Sequence, residues 1–327
     1  MLIPAMLLTI GLISAPTPQS SISGKAAAGD SLDCAFDTGG SGVLAHRVSG
    51  ERLDGLCQLP DPGAVEPLPT GLIVPPGRYR FQLGDRLIAL SALRNGLYQV
   101  SIPGKGTLQF VVWNRRTGLE ALMRDLAGLY AHGTRDDRAT TAELLESART
   151  RTLSATCGTV VNFLREVLRQ VGVQSRRVLT TTTENLNGVD DGHILLEVRV
   201  GARWHLYDPD LGVRFATGVR ALSAADLAAG RRAAFNDSIR FYAPERRMAI
   251  DTGSLVGSDG FDFTFIEVRS RLSNATIERW YRRVLGLIAR EIDGVAYYAV
   301  SGAGERDRAA LAHPGAVFVT KDEFAAL

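Results

Sequence analysis

Lysine is nearly missing from this chain of 327 residues: Lys25, Lys105 and Lys321 are the whole set, and the rest of its 37 cations are arginines. The arginines are scattered rather than massed, and 35 acidic residues bring the formal charge to +2. That balance excludes a polybasic face for nucleic acid or for an anionic membrane. Long apolar runs are missing after residue 13, so no later segment reads as a spanning helix and the mature chain is expected to make no stable membrane insertion. Internal repeats are missing too. His, Cys, Asp and Glu nowhere take metal-ligand spacing, and "DTGSLVGSDGFD" holds three aspartates out of order for a calcium loop. Neither a metal nor a cofactor is expected.

Cysteine is scarce as well, with only Cys34, Cys57 and Cys157. The chain opens with an apolar run from Leu2 to Ile13, followed by a small and polar stretch to Ala28. Such a run is too short for a transmembrane helix and resembles a secretory leader, with cleavage after Ala28 fitting the small-residue rule better than cleavage after Ala15. The expected location is therefore periplasmic or extracellular. In such a compartment Cys34 and Cys57, which enclose a Gly- and Pro-rich stretch, are expected to form a disulfide. Cys157 is then the odd thiol, a candidate for chemistry.

The length exceeds the usual single domain. Residues 1–28 read as the leader and 29–115 as a loop- and β-rich region, with little regular structure to residue 70 and short strand-like runs from 71 to 113. Residues 116–215 read as a core and 216–327 as an α/β extension. "GLEALMRDLAGLYAHG" and "ATTAELLESARTRTL" read as two helices, and "NATIERWYRRVLGLIAREID" as a third.

Cys157, Val160, Val161, Leu164, Leu168 and Val171 fall on one helical stripe that Gly172 can terminate. Whether Ser154 or Thr156 caps the start, Cys157 sits in the first turn. There unpaired backbone N–H groups and the helix dipole favour a thiolate. A thiolate needs a base, and "DGHILLEVRVGARWHLYDPDLG" offers one. Ile194, Leu196, Val198 and Val200 alternate on one face of a strand, leaving His193 on the other with Leu195 and Glu197. A two-residue turn at Gly201 and Ala202 pairs Val200 with Arg203, which sets Asp210 opposite His193 and Asp208 diagonal to it. Asp208 is the expected partner, with Asp210 the alternative and Asp190 or Asp191 the bland one. His205 projects to the opposite face, and His46, His132 and His313 read as isolated. Trp204 reads as packing under the hairpin.

Three blocks in order, Cys157 with "LRQVGVQSRRV", then "HILLEV" from His193, then "GARWHLYDP" to Pro209, resemble the core of the transglutaminase-like superfamily. The resemblance covers roughly residues 140 to 215. It implies an α+β, papain-like fold in which a helix bearing Cys157 packs on an antiparallel sheet bearing His193 and Asp208. It implies the roles of nucleophile, base and orienting carboxylate for those three. Leu195 stands where many members carry an aromatic residue, and no side-chain oxyanion donor is evident before Cys157. The expected function is an exported cysteine hydrolase or acyltransferase acting on a peptide or protein amide, the cell envelope being one source. The rival is a non-catalytic envelope binding or assembly protein on the same core.

Overall fold

The computed structural model describes residues 34–36, 43–48, 51–55, 65–92, 95–102, 104–116, 118–188, 191–230, 239–241, 245–251, 263–269 and 274–327. The leader, Cys57 and the Cys34 side chain lie outside the described residues, and so does the expected Cys34–Cys57 disulfide.

The described residues of the N-terminal region form strands β1 (Cys34–Phe36), β2 (Val43–Val48), β3 (Glu51–Gly55), β4 (Glu66–Pro67), β5 (Ile73–Val74), β6 (Gly77–Leu83), β7 (Arg86–Ala92), β8 (Gly96–Ile102) and β9 (Gly106–Val112). They form two sheets, in the orders β1-β7-β6-β4 and β3-β2-β8-β9-β5. Phe110 of the second sheet meets Phe81 of the first edge-on at 6.3 Å and stacks on Tyr98 at 5.4 Å. β1 to β3 correct the reading of residues 29–70 as nearly structureless. β1 is ordered by β7 and β2 by β8, partners far along the chain that no local pattern reveals.

The next elements are α1 (Leu119–Leu126), a 3-10 turn (Ala127–Leu129), β10 (Tyr130–His132), α2 (Thr141–Ala148), β11 (Leu153–Ala155) and α3 (Cys157–Gln170). The first two expected helices are thus shorter than their sequence windows. The tail "YAH" of the first window pairs in parallel with "LSA", which starts at the last residue of the second, with His132 opposite Ala155. α2 starts on a capping box of Thr140 and Glu143. α3 buries Val160, Val161, Leu164 and Leu168 along its stripe. It ends before Gly172, whose φ of +71° is a conformation glycine adopts without strain.

A nine-stranded sheet takes the rest: β12 (Ser175–Thr181), β13 (Gly192–Val200), β14 (Arg203–Asp208), β15 (Val213–Thr217), β16 (Arg220–Ala221), then α4 (Ala224–Ala228) and β17 (Ile239–Phe241). β18 (Glu245–Asp251) and β19 (Phe263–Arg269) join β10 and β11 instead. After α5 (Asn274–Val284) come β20 (Leu287–Ile292), β21 (Val295–Ala299), α6 (Ala303–Ala312), β22 (Val317–Val319) and α7 (Lys321–Ala326). The large sheet runs β16-β15-β14-β13-β12-β20-β21-β22, with β17 beside β15. The third expected helix therefore breaks in the middle. A Cβ at Gly286 would lie 2.5 Å from Thr183 N and 2.7 Å from Thr181 O, so only glycine lets the chain turn there and enter the sheet as β20 beside β12.

The fold is α+β, with the large sheet covered on both faces. On one face α1, α2 and α3 bury Val160, Val161 and Leu164 against Leu196, Val198 and Tyr207. On the other, α4 and α5 bury Leu227, Ile277 and Tyr281 against Leu195, Leu206 and Phe215. Glu197 is fully buried on this second face. Its carboxylate accepts from Arg176 Nε at 2.7 Å, Arg290 Nε at 3.1 Å and Ala224 N at 2.6 Å. Arg290 also donates to the carbonyl of Phe324 in α7 and lies 4.4 Å from that ring's centroid. One acid thus ties β12, β13, β20, α4 and α7 together.

Candidate active site

β13 and β14 pair Val200 with Arg203 and Leu196 with Tyr207, the register that a two-residue turn at Gly201 and Ala202 dictates. One step further along, Asp208 stands opposite Leu195 and diagonal to His193. The carboxylate closes that gap: His193 Nε2 lies 2.9 Å from Asp208 Oδ2, both groups being buried. The other acids within range are engaged elsewhere. Asp210 pairs with His132 Nδ1 at 2.9 Å. Asp191 accepts from the backbone of Asn187 and Gly188 and faces Arg283. Asp190 lies outside the described residues.

Cys157 and His193 line the same cleft, Cys157 lies near enough to help raise the His193 pKa, and with Nε2 committed to Asp208 the ring nitrogen left for it is Nδ1. α3 packs on the sheet face of Ile194 and Leu196, not on that of Leu195 and Glu197. Its first turn nevertheless reaches the start of β13, because residue 158 is glycine: a Cβ there would press within 3.1 Å of Ile194 Cδ1. The thiol is half-buried. Thr156 occupies the N-cap position but makes no capping bond with its side chain. Its hydroxyl and its N–H both donate to Asp137 Oδ1, at 3.0 and 2.8 Å. The first intrahelical bond comes from Val160 N, so the N–H groups of residues 157–159 lack helical partners.

Sequence reasoning missed the groups that hold these three in place. Tyr281 OH donates to Asp208 Oδ2 at 2.6 Å, Leu211 N to Oδ1 at 3.2 Å, and Trp280 meets the His193 ring edge-on at 4.8 Å. The adjacent Trp280 and Tyr281 in an amphipathic helix were a visible signal, but nothing local says that this helix returns over β13. His132 is not isolated, which corrects that reading: its bond to Asp210, with Tyr130 OH donating to Pro209 O at 3.1 Å, clamps the turn after Asp208 to β10. Upstream, burial alone would raise the Asp136 carboxyl, but Arg151, Arg135 and the Ser154 N–H hold it down at about 2. This fixes β11, the strand that delivers Cys157.

Of the remaining candidates, His205 is half-buried, with burial and then Arg214 and Arg203 lowering its pKa. Trp204 lies under the Arg176 guanidinium at 4.0 Å. His313 is not isolated either, because it lines the cleft beside Cys157. The His46 side chain and nearly all of "DTGSLVGSDGFD" lie outside the described residues. Among the described residues no group of three His, Cys, Asp or Glu is placed to hold a metal. A cavity of about 720 Å³ beside Arg165, Glu166 and Arg169 includes neither Cys157 nor His193.

Burial disfavours charge on His193. The Asp208 charge and hydrogen bond, joined by Cys157, outweigh that cost and hold the imidazole well above its ordinary 6.5. The stability carried by this proton is full below pH 6.5 and is lost as the pH climbs through the higher folded-state value. The gap in melting temperature between the wild type and Asp208→Asn should therefore be widest on the acid side of neutrality and narrow in alkali. A gap that widens with pH would contradict the imidazolium assignment.

No protein-family model matches the chain, and no curated protein matches its sequence. Solved structures similar in part include two arylamine N-acetyltransferases. The arylamine N-acetyltransferase of Mycobacterium marinum shares 15% identity, with 55% of this chain and 72% of that chain covered at a TM-score of 0.25. The arylamine N-acetyltransferase of M. tuberculosis shares 14%, with 61% and 86% covered at 0.26. Overlaps this low establish neither fold nor activity.

Proposed function

We propose that the chain is an exported cysteine hydrolase that cleaves amide bonds through a thioester on Cys157. The observation that carries this reading is the buried His193–Asp208 pair, whose carboxylate also receives Tyr281 OH and Leu211 N, in one cleft with Cys157 at the start of α3. In the first step the thiol proton passes to Nδ1 of the neutral His193, forming the imidazolium that the Asp208 charge favours, and the sulfur attacks the carbonyl carbon. The unpartnered N–H groups at the start of α3 receive the oxyanion. Collapse breaks the C–N bond, and the leaving amine takes the proton from His193. A water molecule then gives its proton to His193 and attacks the thioester, releasing the acid and restoring the thiol. Asp208 holds the ring with Nε2–H towards itself throughout, so that Nδ1 stays available. The apolar run from Leu2 to Ile13, followed by a small and polar stretch, supports export.

The test is alkylation of the full chain by iodoacetamide at mildly acidic pH, with Cys157→Ala as control. The expected result is modification at Cys157 much faster than that of free cysteine, whose thiol is almost wholly protonated there. Labelling no faster than free cysteine would overturn the nucleophile and favour the non-catalytic binding protein.

A further inference from the structure

The cleft over Cys157 has a volume of about 470 Å³, within the range of small-ligand sites. Its walls come from two parts of the chain. Leu179, Leu186 and Ile194 belong to β12, β13 and the loop between them, while Tyr298 and Ala312, with His313 beside it, come from β21 and the end of α6. Leu186 is 47% exposed, an apolar side chain left in water at the mouth. Most polar groups of the wall are already engaged, His313 Nδ1 being the exception, buried with no hydrogen-bond partner among the described residues. Thr180 Oγ1 accepts from His193 N and donates to His193 O, and Thr181 Oγ1 donates to Asp191 O. The Asp191 carboxylate holds two backbone N–H groups and faces Arg283. Burial pushes the Tyr298 phenol up to about 12, so it is neutral. Among the described residues no lysine or arginine lines the cleft.

We infer that this cleft selects acyl donors with an uncharged, apolar acyl chain of several carbons, and that residues 298–313 supply one of the selecting walls. The inference rests on the proposed nucleophile. A carboxylate at the far end of the chain, beside Leu186 and Ala312, would lose water and gain no lysine or arginine, whereas methylene groups would cover Leu186, Ile194 and Ala312.

Three p-nitrophenyl esters test it on the full chain: acetate, hexanoate and the mono-ester of adipic acid, which resembles the hexanoate with a terminal carboxylate. Each acylates by attack of the Cys157 sulfur on the ester carbonyl with loss of p-nitrophenolate. Each rate is divided by that of the same ester with free cysteine. The hexanoate should exceed the acetate by about tenfold or more, in the range that a few methylenes contribute in an apolar pocket, and the adipate should not exceed the acetate. Leu186→Asp and Ala312→Asp, both at exposed positions, should bring the hexanoate-to-acetate ratio close to one. Iodoacetamide labelling run in parallel separates the two failures. Absence of fast labelling at Cys157 overturns the nucleophile and with it the inference. Fast labelling with a ratio near one, or with the adipate fastest, overturns the inference alone.

Discussion

Replacing Asp208 with Asn is expected to lower the acylation rate by about three to four orders of magnitude, the loss seen when an orienting carboxylate becomes an amide. The reason lies in the donors around it. Asp208 Oδ2 receives both His193 Nε2 and Tyr281 OH, and Oδ1 receives Leu211 N. An amide has one acceptor, so either its NH2 faces Nε2 or it faces the Leu211 N–H. In the first case the ring proton moves to Nδ1, which then cannot take the thiol proton. In the second the imidazolium loses the charge that holds its proton. Asp210→Asn breaks only the pair with His132, which touches the triad through the turn at Pro209, and should cost within about tenfold. Rates with the hexanoate ester compare the two variants. Equal losses, or a loss only at Asp210, would show that the orienting carboxylate has been misassigned.

Glu197→Ala is expected to destabilise the protein by about 3–5 kcal/mol, because it strands two cations that share one buried acid. Arg290 is 1% exposed and Arg176 lies mostly covered beside it. Ala224 N at the start of α4 loses its acceptor as well. The measurement is the urea midpoint at constant slope. Pairing Glu197→Leu with Arg290→Met should recover part of the loss, since only Arg176, the less buried of the two cations, is then left unmatched. A change below about 1 kcal/mol for Glu197→Ala would mean that the cluster is hydrated and does not tie the elements together.

α3 was legible because its stripe, its glycine stop and its polar start all lie within one short window. The β13–β14 hairpin was legible for the same reason: two tight-turn residues between alternating runs set the register, and the register sets which aspartate is diagonal to His193. β10, β11 and β20 were not legible. Each is a short run whose strand state comes from a partner far along the chain, and "LIAREI" carries no period of its own strong enough to oppose the helix before it. The supports of the triad were hidden for a related reason. Tyr281 lies 73 residues beyond Asp208, and His132 lies 78 residues before Asp210. Spacing within a motif says nothing about such pairs.

The placement of α5 over His193 and Asp208, and of β20 beside β12, sets an order in time as well as in space. A ribosome delivers Cys157, His193 and Asp208 early, yet Trp280 and Tyr281 follow only after roughly 4 to 15 s of further synthesis at ordinary elongation rates. Until they arrive, Asp208 lacks its Tyr281 donor and its cover, and β12 lacks its outer neighbour. The nascent chain therefore carries Cys157, His193 and Asp208 before the residues that hold and cover His193 and Asp208 in the folded chain.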